Sequence, residues 1–116
     1  MTDRRVAAIE DMGALIDAVD DLLRRLGAAR GNYRLAMDTL STSTPVGEAL
    51  AGADAAVTRQ ALTDSLDRFE HHRHASRLSL IAVALDEGSS INTISRTWGI
   101  SRQLASRYVK EIRNPG

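Results

Sequence analysis

The chain has 116 residues, a formal net charge of zero, no cysteine, one Phe and one Trp. That length allows one small domain, or a compact unit with a helical extension, and a chain this short often takes part of its stability from association. The cysteine count excludes disulfides, thiol catalysis and cysteine-ligated zinc, and fits the reducing cytoplasm. The neutral balance excludes a generic basic coat for nucleic acid, and the apolar runs are too short to span a membrane. The start, Met1-Thr2-Asp3-Arg4-Arg5, leads into an amphipathic pattern rather than a signal peptide. Arg outnumbers Lys 14 to 1 and alanine is abundant, which reads as GC-rich bacterial coding rather than as function.

The first predicted element is a helix from about Arg4 to Ser41. Ile9, Met12, Ile16, Val19, Leu23 and Leu26 are spaced 3-4-3-4-3, the a/d seam of a heptad repeat. The phase continues through Tyr33, Met37 and Leu40, with Arg30 the one polar intruder. Gly27 and Gly31 each cost about 1 kcal/mol against Ala inside a helix. They leave two readings open, one continuous helix or a break between two. Leu15 and Leu22 widen the apolar face, which favours a bundle over a bare two-stranded coil.

Ser41-Thr42-Ser43-Thr44 and then Pro45 stop that helix. Thr44 is a candidate cap for a short second helix, with Pro45 in its first turn. Gly47 and Gly52 weaken anything between 46 and 53. Asp54 is a candidate cap for a second long helix, with Leu62, Leu66 and Phe69 as its apolar stripe. That helix ends near His74 or runs unbroken into 77–87. A thin core with one Phe leaves apolar surface to bury, so residues 1–74 are expected to form a helical hairpin that dimerises. Packing of the hairpin on its own C-terminal unit as a monomer is the alternative.

The C-terminal third is the most specific. Ile91, Ile94 and Trp98 fall on one face of a short helix, Gly99 supplies a turn position that tolerates positive φ, and Ile100 fills the corner. Ser101 can cap the next helix. Leu104, Ala105 and Tyr108 face inward on it, which turns Arg102, Gln103, Ser106 and Arg107 outward. Arg grips guanine and Gln grips adenine through paired hydrogen bonds in the major groove, and a reading helix meets bases with its N-terminal residues. Arg102, Gln103, Ser106 and Arg107 are therefore the expected base readers. Ser90, Asn92, Thr93, Ser101, Lys110 and Arg113 are the expected phosphate contacts, which carry affinity without sequence. Residues 1–64 carry seven Arg against ten acids, net −3, and residues 65–116 carry eight basic residues against five acids, net +3. The positive field thus lies with this segment, as binding to DNA requires.

The run Gly99-Ile-Ser-Arg-Gln-Leu-Ala-Ser-Arg-Tyr-Val109 resembles the turn and recognition helix of bacterial repressors of the lactose-repressor type. The three-helix unit of about 77–113, its first helix ending at Glu87-Gly88, is similar to the DNA-binding unit of resolvases and DNA invertases. The resemblance implies packing roles for Ile94, Gly99, Ile100, Ala105 and Tyr108. It implies reading roles for Arg102, Gln103, Ser106 and Arg107. Ser95 stands where the family usually has Ala or Gly, and Ala105 where a β-branched residue is common. Both are small, so close approach of the helices is retained.

Other constellations carry less. Asp67, His71 and His74 share a helix face at i, i+4 and i+7 and can offer zinc three donors. Beside Glu70 and Arg73 they read better as a solvated surface, with a pH-sensitive cluster as a further option. Arg24 and Arg25 read as a flank paired with Asp20 and Asp21. Trp98 sits on the packing face and reads as a core anchor rather than a base-stacking ring. No serine sits at a strand-turn-helix elbow, and no glycine-rich phosphate loop precedes a helix.

The expected fold is all-α, with a long helical hairpin or coiled-coil dimerisation region at 1–74 and a three-helix DNA-binding unit at 75–116. No residues remain beyond about Arg113 for a winged hairpin. The expected function is sequence-specific binding of double-stranded DNA by a homodimer, most simply a cytoplasmic, nucleoid-associated transcriptional regulator. It is read as no enzyme, with no cofactor, metal, membrane or small-molecule substrate. An architectural or recombination-accessory protein, and an antitoxin-like or sigma-associated protein-docking module, are the alternatives.

Overall fold

The computed structural model describes residues 2–115, so Met1 and Gly116, the outer bounds of the two expected regions, lie outside it. Among the described residues there are five α-helices and no strand. They are α1 (Asp3–Leu40), α2 (Val46–Gly52), α3 (Ala55–Asp86), α4 (Ile91–Trp98) and α5 (Arg102–Arg113). No helix among the described residues is long and apolar enough to cross a membrane.

Two open readings are decided. α1 runs through Gly27 and Gly31 without a break, and α3 runs on past His74 to Asp86. Two expected caps are corrected. Thr44 does not cap α2; Pro45 holds that position without a side-chain bond, and the Thr44 hydroxyl pairs with that of Thr42 at 2.9 Å. Asp54 precedes α3 in a left-handed conformation (φ 52°) and supplies its carbonyl to the Thr58 N–H. Extended backbone at the cap is what lets a side chain fold back onto the first turn, so this conformation forgoes it.

By contacts the chain forms two units. One joins the residues up to Leu15 with those from His72 onward, and the other is Ile16–His71. In the second unit the buried row of α1 is small: Ala18 (1% exposed), Ala29 and Ala36. Opposite them on α3 are buried Thr58 and Ser65. Asn32 donates to the Thr58 hydroxyl at 2.7 Å, and the Ser65 hydroxyl donates to Asp21 at 2.8 Å. Asp21 also meets Arg68 at 3.3 Å, Arg24 at 3.4 Å and Arg25 at 3.7 Å. Both arginines of the expected flank therefore converge on Asp21 and not on Asp20.

In the first unit the centre is Ile81 and Ile94, both fully buried, with Ala105 and Val109. Leu85, Ile91, Trp98, Ile100, Tyr108 and Ile112 pack around them. Leu104, expected to face inward, is half-buried but stands outside this cluster. Trp98 is half-buried, an edge of the core rather than its anchor.

The Ser65 hydroxyl above all, then Arg25, Arg68 and Arg24, hold the Asp21 carboxyl below its usual 3.8, against the opposing effect of burial. A depressed folded-state value gives stability that is present above the unfolded value and is lost as pH falls through the folded one. Asp21→Asn is therefore expected to melt below the wild type at about pH 7. The gap is expected to close as melting is followed below about pH 3.8 by circular dichroism. A gap that stayed constant into acid would show that the charge contributes nothing.

Candidate nucleic-acid interface

The geometry of the site begins with two turns. α3 ends where Gly88 adopts φ 87°, with the Ser89 N–H reaching the Ala84 carbonyl at 2.9 Å and the Gly88 N–H reaching Leu85 at 3.0 Å. α4 ends in the same way at Gly99 (φ 65°), where Ile100 N–H meets the Ser95 carbonyl at 3.0 Å. Such paired bonds satisfy the last helical carbonyls, and the left-handed residue between them is ordinarily glycine. Ser95 adds a bond of its own, donating its hydroxyl to the Ile100 carbonyl at 2.6 Å. Ala or Gly at this position would leave the turn without that clamp.

Both helices after these turns start on serine caps. The Ser90 hydroxyl accepts from the Thr93 N–H at 3.2 Å, and the Ser101 hydroxyl accepts from the Leu104 N–H at 3.0 Å. The Ser101 cap was expected. Ser90 and Thr93 also exchange a hydroxyl bond at 3.1 Å, so the two are partly engaged with each other. The Ile94 N–H is held by the Ser90 carbonyl. Ile91 and Asn92, at the head of α4, keep N–H groups that a helix leaves unpaired within itself.

α4 and α5 then cross with Ile94, Ala105 and Val109 between them, and this fixes the outer face of α5. Arg102, Gln103 and Ser106 line an open notch together with Ser90, Ile91 and Asn92. A second concavity, sharing Ile91 and Ser106, is lined by Arg107, Lys110 and Arg113. Eight of the ten residues expected at DNA thus line two adjoining hollows on one side of α4 and α5. Thr93 and Ser101 do not; the Thr93 N–H and the Ser101 hydroxyl belong to the caps.

The electrostatics depend on where the acids go. The helices α4 and α5 carry Arg96, Arg102, Arg107, Lys110 and Arg113 against a single acid, Glu111. Glu111 is turned to α3, where its Oε2 lies 2.8 Å from His74 Nε2. Asp86 pairs with Arg4 at 3.1 Å, and Glu87 pairs with Arg5. Asp11 accepts from the Ser79 hydroxyl. Asp11, Asp86, Glu87 and Glu111 are thus each engaged with a partner, and the cations of α5 are exposed.

A clasp that the spacing does not foreshadow joins α3 and α5. Arg77 donates to the Tyr108 hydroxyl at 2.8 Å, its guanidinium lies 5.1 Å from the ring centre, and the His74 ring lies 5.6 Å from it at a tilt of 59°. No pattern of spacing links positions 77 and 108. The one available signal was that Tyr108, on an inner face, has a hydroxyl that needs a partner when buried. His74, a candidate zinc donor by its spacing, bonds Glu111 instead. Among the described residues no three His, Cys, Asp or Glu side chains gather as a metal site.

The apolar seam of α1 lies in the open. Ile9, Met12, Ile16, Leu23 and Leu26 are exposed, with Leu23 at 63%, and Val19 is half-buried. No protein-family model, curated protein sequence or solved structure matches the chain.

Tyr108→Phe removes the acceptor for Arg77 and keeps the ring. It is expected to lower stability by about 0.5–1.5 kcal/mol, read from denaturant melts. An unchanged midpoint would show that the clasp contributes nothing to the position of α5.

Proposed function

We propose that this chain is a small helix-turn-helix protein that binds double-stranded DNA sequence-specifically as a homodimer, most simply as a transcriptional regulator at the nucleoid. On this reading residues 1–74 form the dimerising hairpin, and α3 from about Arg77, α4 and α5 form the DNA-binding unit. The observation that carries the proposal is the notch that gathers Arg102, Gln103 and Ser106 from the start of α5 with Ser90 and Asn92 from the start of α4. The first group has the chemistry to read base edges, and the second has the chemistry to hold a phosphate beside them. Arg107, Lys110 and Arg113 extend the cationic face along α5, and no carboxylate of α4 or α5 opposes them, since Glu111 is bonded to His74.

The roles divide by position on α5. Arg102 and Gln103 occupy its first turn and are the principal readers, with Ser106 and Arg107 one turn on. Lys110 and Arg113 lie toward the far end and contact phosphate. In a pair with two-fold symmetry the bound sequence is an inverted repeat, its half-sites about one helical turn apart or a multiple of that. The reading calls for no cofactor and no catalytic residue.

Binding to a selected site and to random duplex, each titrated with salt, tests the proposal. A regulator prefers its site by about a thousandfold or more. Equal affinity for both marks an architectural protein, and binding to neither marks a module that docks protein. Arg102→Ala is expected to cost about 1–3 kcal/mol of specific binding and to relax preference at one base pair. Lys110→Ala is expected to weaken all duplexes alike and to lower the salt slope by about one. Retention of the wild-type specificity ratio in Arg102→Ala would remove Arg102 from the readers.

A further inference from the structure

We propose that the outward apolar row of α1 pairs with the same row of a second copy running antiparallel. In this pair Gly27 lies at the two-fold axis, and Asp20 of each copy lies against Arg34 of the other. The proposal rests on the reading of a self-associating protein and adds the orientation and the residues that set it.

Within the unit Ile16–His71 the row runs from Ile16 to Leu40 at heptad spacing. Ile16 is 58% exposed and Met37 63%, while the buried positions of the same helix are the alanines at 8, 18, 29 and 36. Leu26, Tyr33 and Met37 line a shallow apolar groove along it. An apolar row of this length standing in water marks a surface built to be covered.

Its charges say what covers it. The row is interrupted once, by Arg30. In a parallel pair each position of a heptad seam meets its own counterpart, so Arg30 would face Arg30, with two guanidiniums buried together. Reversing one helix removes that clash. Overlap of the part of the row within this unit, Ile16 to Leu40, then sets Ile16 opposite Leu40, Val19 opposite Met37, Leu23 opposite Tyr33 and Leu26 opposite Arg30, with Ile9 and Met12 beyond the overlap. The Arg30 stem lies along Leu26 and its head reaches water.

The flank supports the same arrangement. The seven-residue line beside the row, on the side away from the buried alanines, carries Asp20, Gly27 and Arg34, all exposed. In the overlapped register Asp20 meets Arg34 of the other copy, twice by symmetry, and Gly27 meets Gly27. Asp21 is fully engaged within the chain, but among the described residues neither Asp20 nor Arg34 has an ion-pair partner. Gly27 has no atom within 4 Å of where a Cβ would stand. A glycine in mid-helix costs about 1 kcal/mol against Ala, and close approach of a second helix offsets it. Antiparallel pairing sets Asp20 over Arg34, and parallel pairing sets Asp20 over Asp20. Asp38, one turn beyond Arg34, is the single acid at the basic end.

Charge reversal and cross-linking of the full chain test this. Asp20→Arg and Arg34→Asp are each expected to weaken self-association about tenfold by sedimentation, and the double variant to return to within about threefold of the wild type. Far-UV circular dichroism at unchanged helicity shows that the exposed substitutions leave the fold intact. Because the chain has no cysteine, Ile16→Cys and Leu40→Cys can be oxidised alone and mixed. The mixture is expected to give the cross-linked pair, and neither variant alone. A wild type that sediments as a 12.6 kDa monomer overturns both the orientation and the self-association it rests on. Cross-linking of Ile16→Cys to itself, or a double variant no better than the singles, overturns the orientation alone.

Discussion

Alanine on the inner side of α1 is the constraint on which much of the structure depends. Ala18, Ala29 and Ala36 are nearly inaccessible, and their neighbours across the interface are Thr58 and Ser65 rather than leucines. Small side chains bury little apolar volume on that side of the helix. The specificity of the interface comes from hydrogen bonds, Asn32 to Thr58 and Ser65 to Asp21. A helix has only so many faces. With alanine and polar groups inside, the large residues of the a/d row have nowhere to go but outward. The row that a heptad search finds most easily is therefore not the one the chain uses to pack on itself.

The same economy governs charge. Asp86, Glu87 and Glu111 are each held by a basic side chain from another helix, Arg4, Arg5 and His74. Surface pairs of this kind add little stability, typically about 0–1 kcal/mol. Their larger effect is on the field. A carboxylate held at α3 is a carboxylate not lying beside Arg102, Arg107 or Lys110. A chain with no net charge can thus present one cationic helix face, because its acids are engaged where they do not oppose it.

What could be read from the residues divides by range. The Gly99 turn, the Ser101 cap and the burial of Ile94 and Ala105 are local, set by neighbours within about one turn of helix, and they were legible. So was the outward direction of Arg102, Gln103 and Ser106, which comes from helical period once Ala105 is inside. Contacts between distant positions were not legible. Nothing in periodicity links Arg77 to Tyr108, Asp21 to Ser65 or His74 to Glu111. The seam of α1 is a third case: its residues stand outward. Large residues stand on one side of that helix and buried alanines on another, and apolar size drew attention to the first. Thr44 and Asp54 have the chemistry of caps, but only backbone dihedrals decide whether a side chain folds back, and Asp54 is left-handed.

Arg30 ties these threads together. A row apolar throughout would pair tightly and stay paired. On the proposed pairing, one arginine in it weakens association and makes it depend on orientation, as a single polar seam position does in coiled coils. On the proposed reading each copy offers one reading helix, and a second copy converts its half-site contact into an intramolecular event at high effective concentration. Occupancy of the DNA then rises with protein concentration more steeply than one-to-one binding allows. On that reading the site on α5 supplies the chemistry of recognition, and the strength of the row on α1 sets the concentration at which it acts.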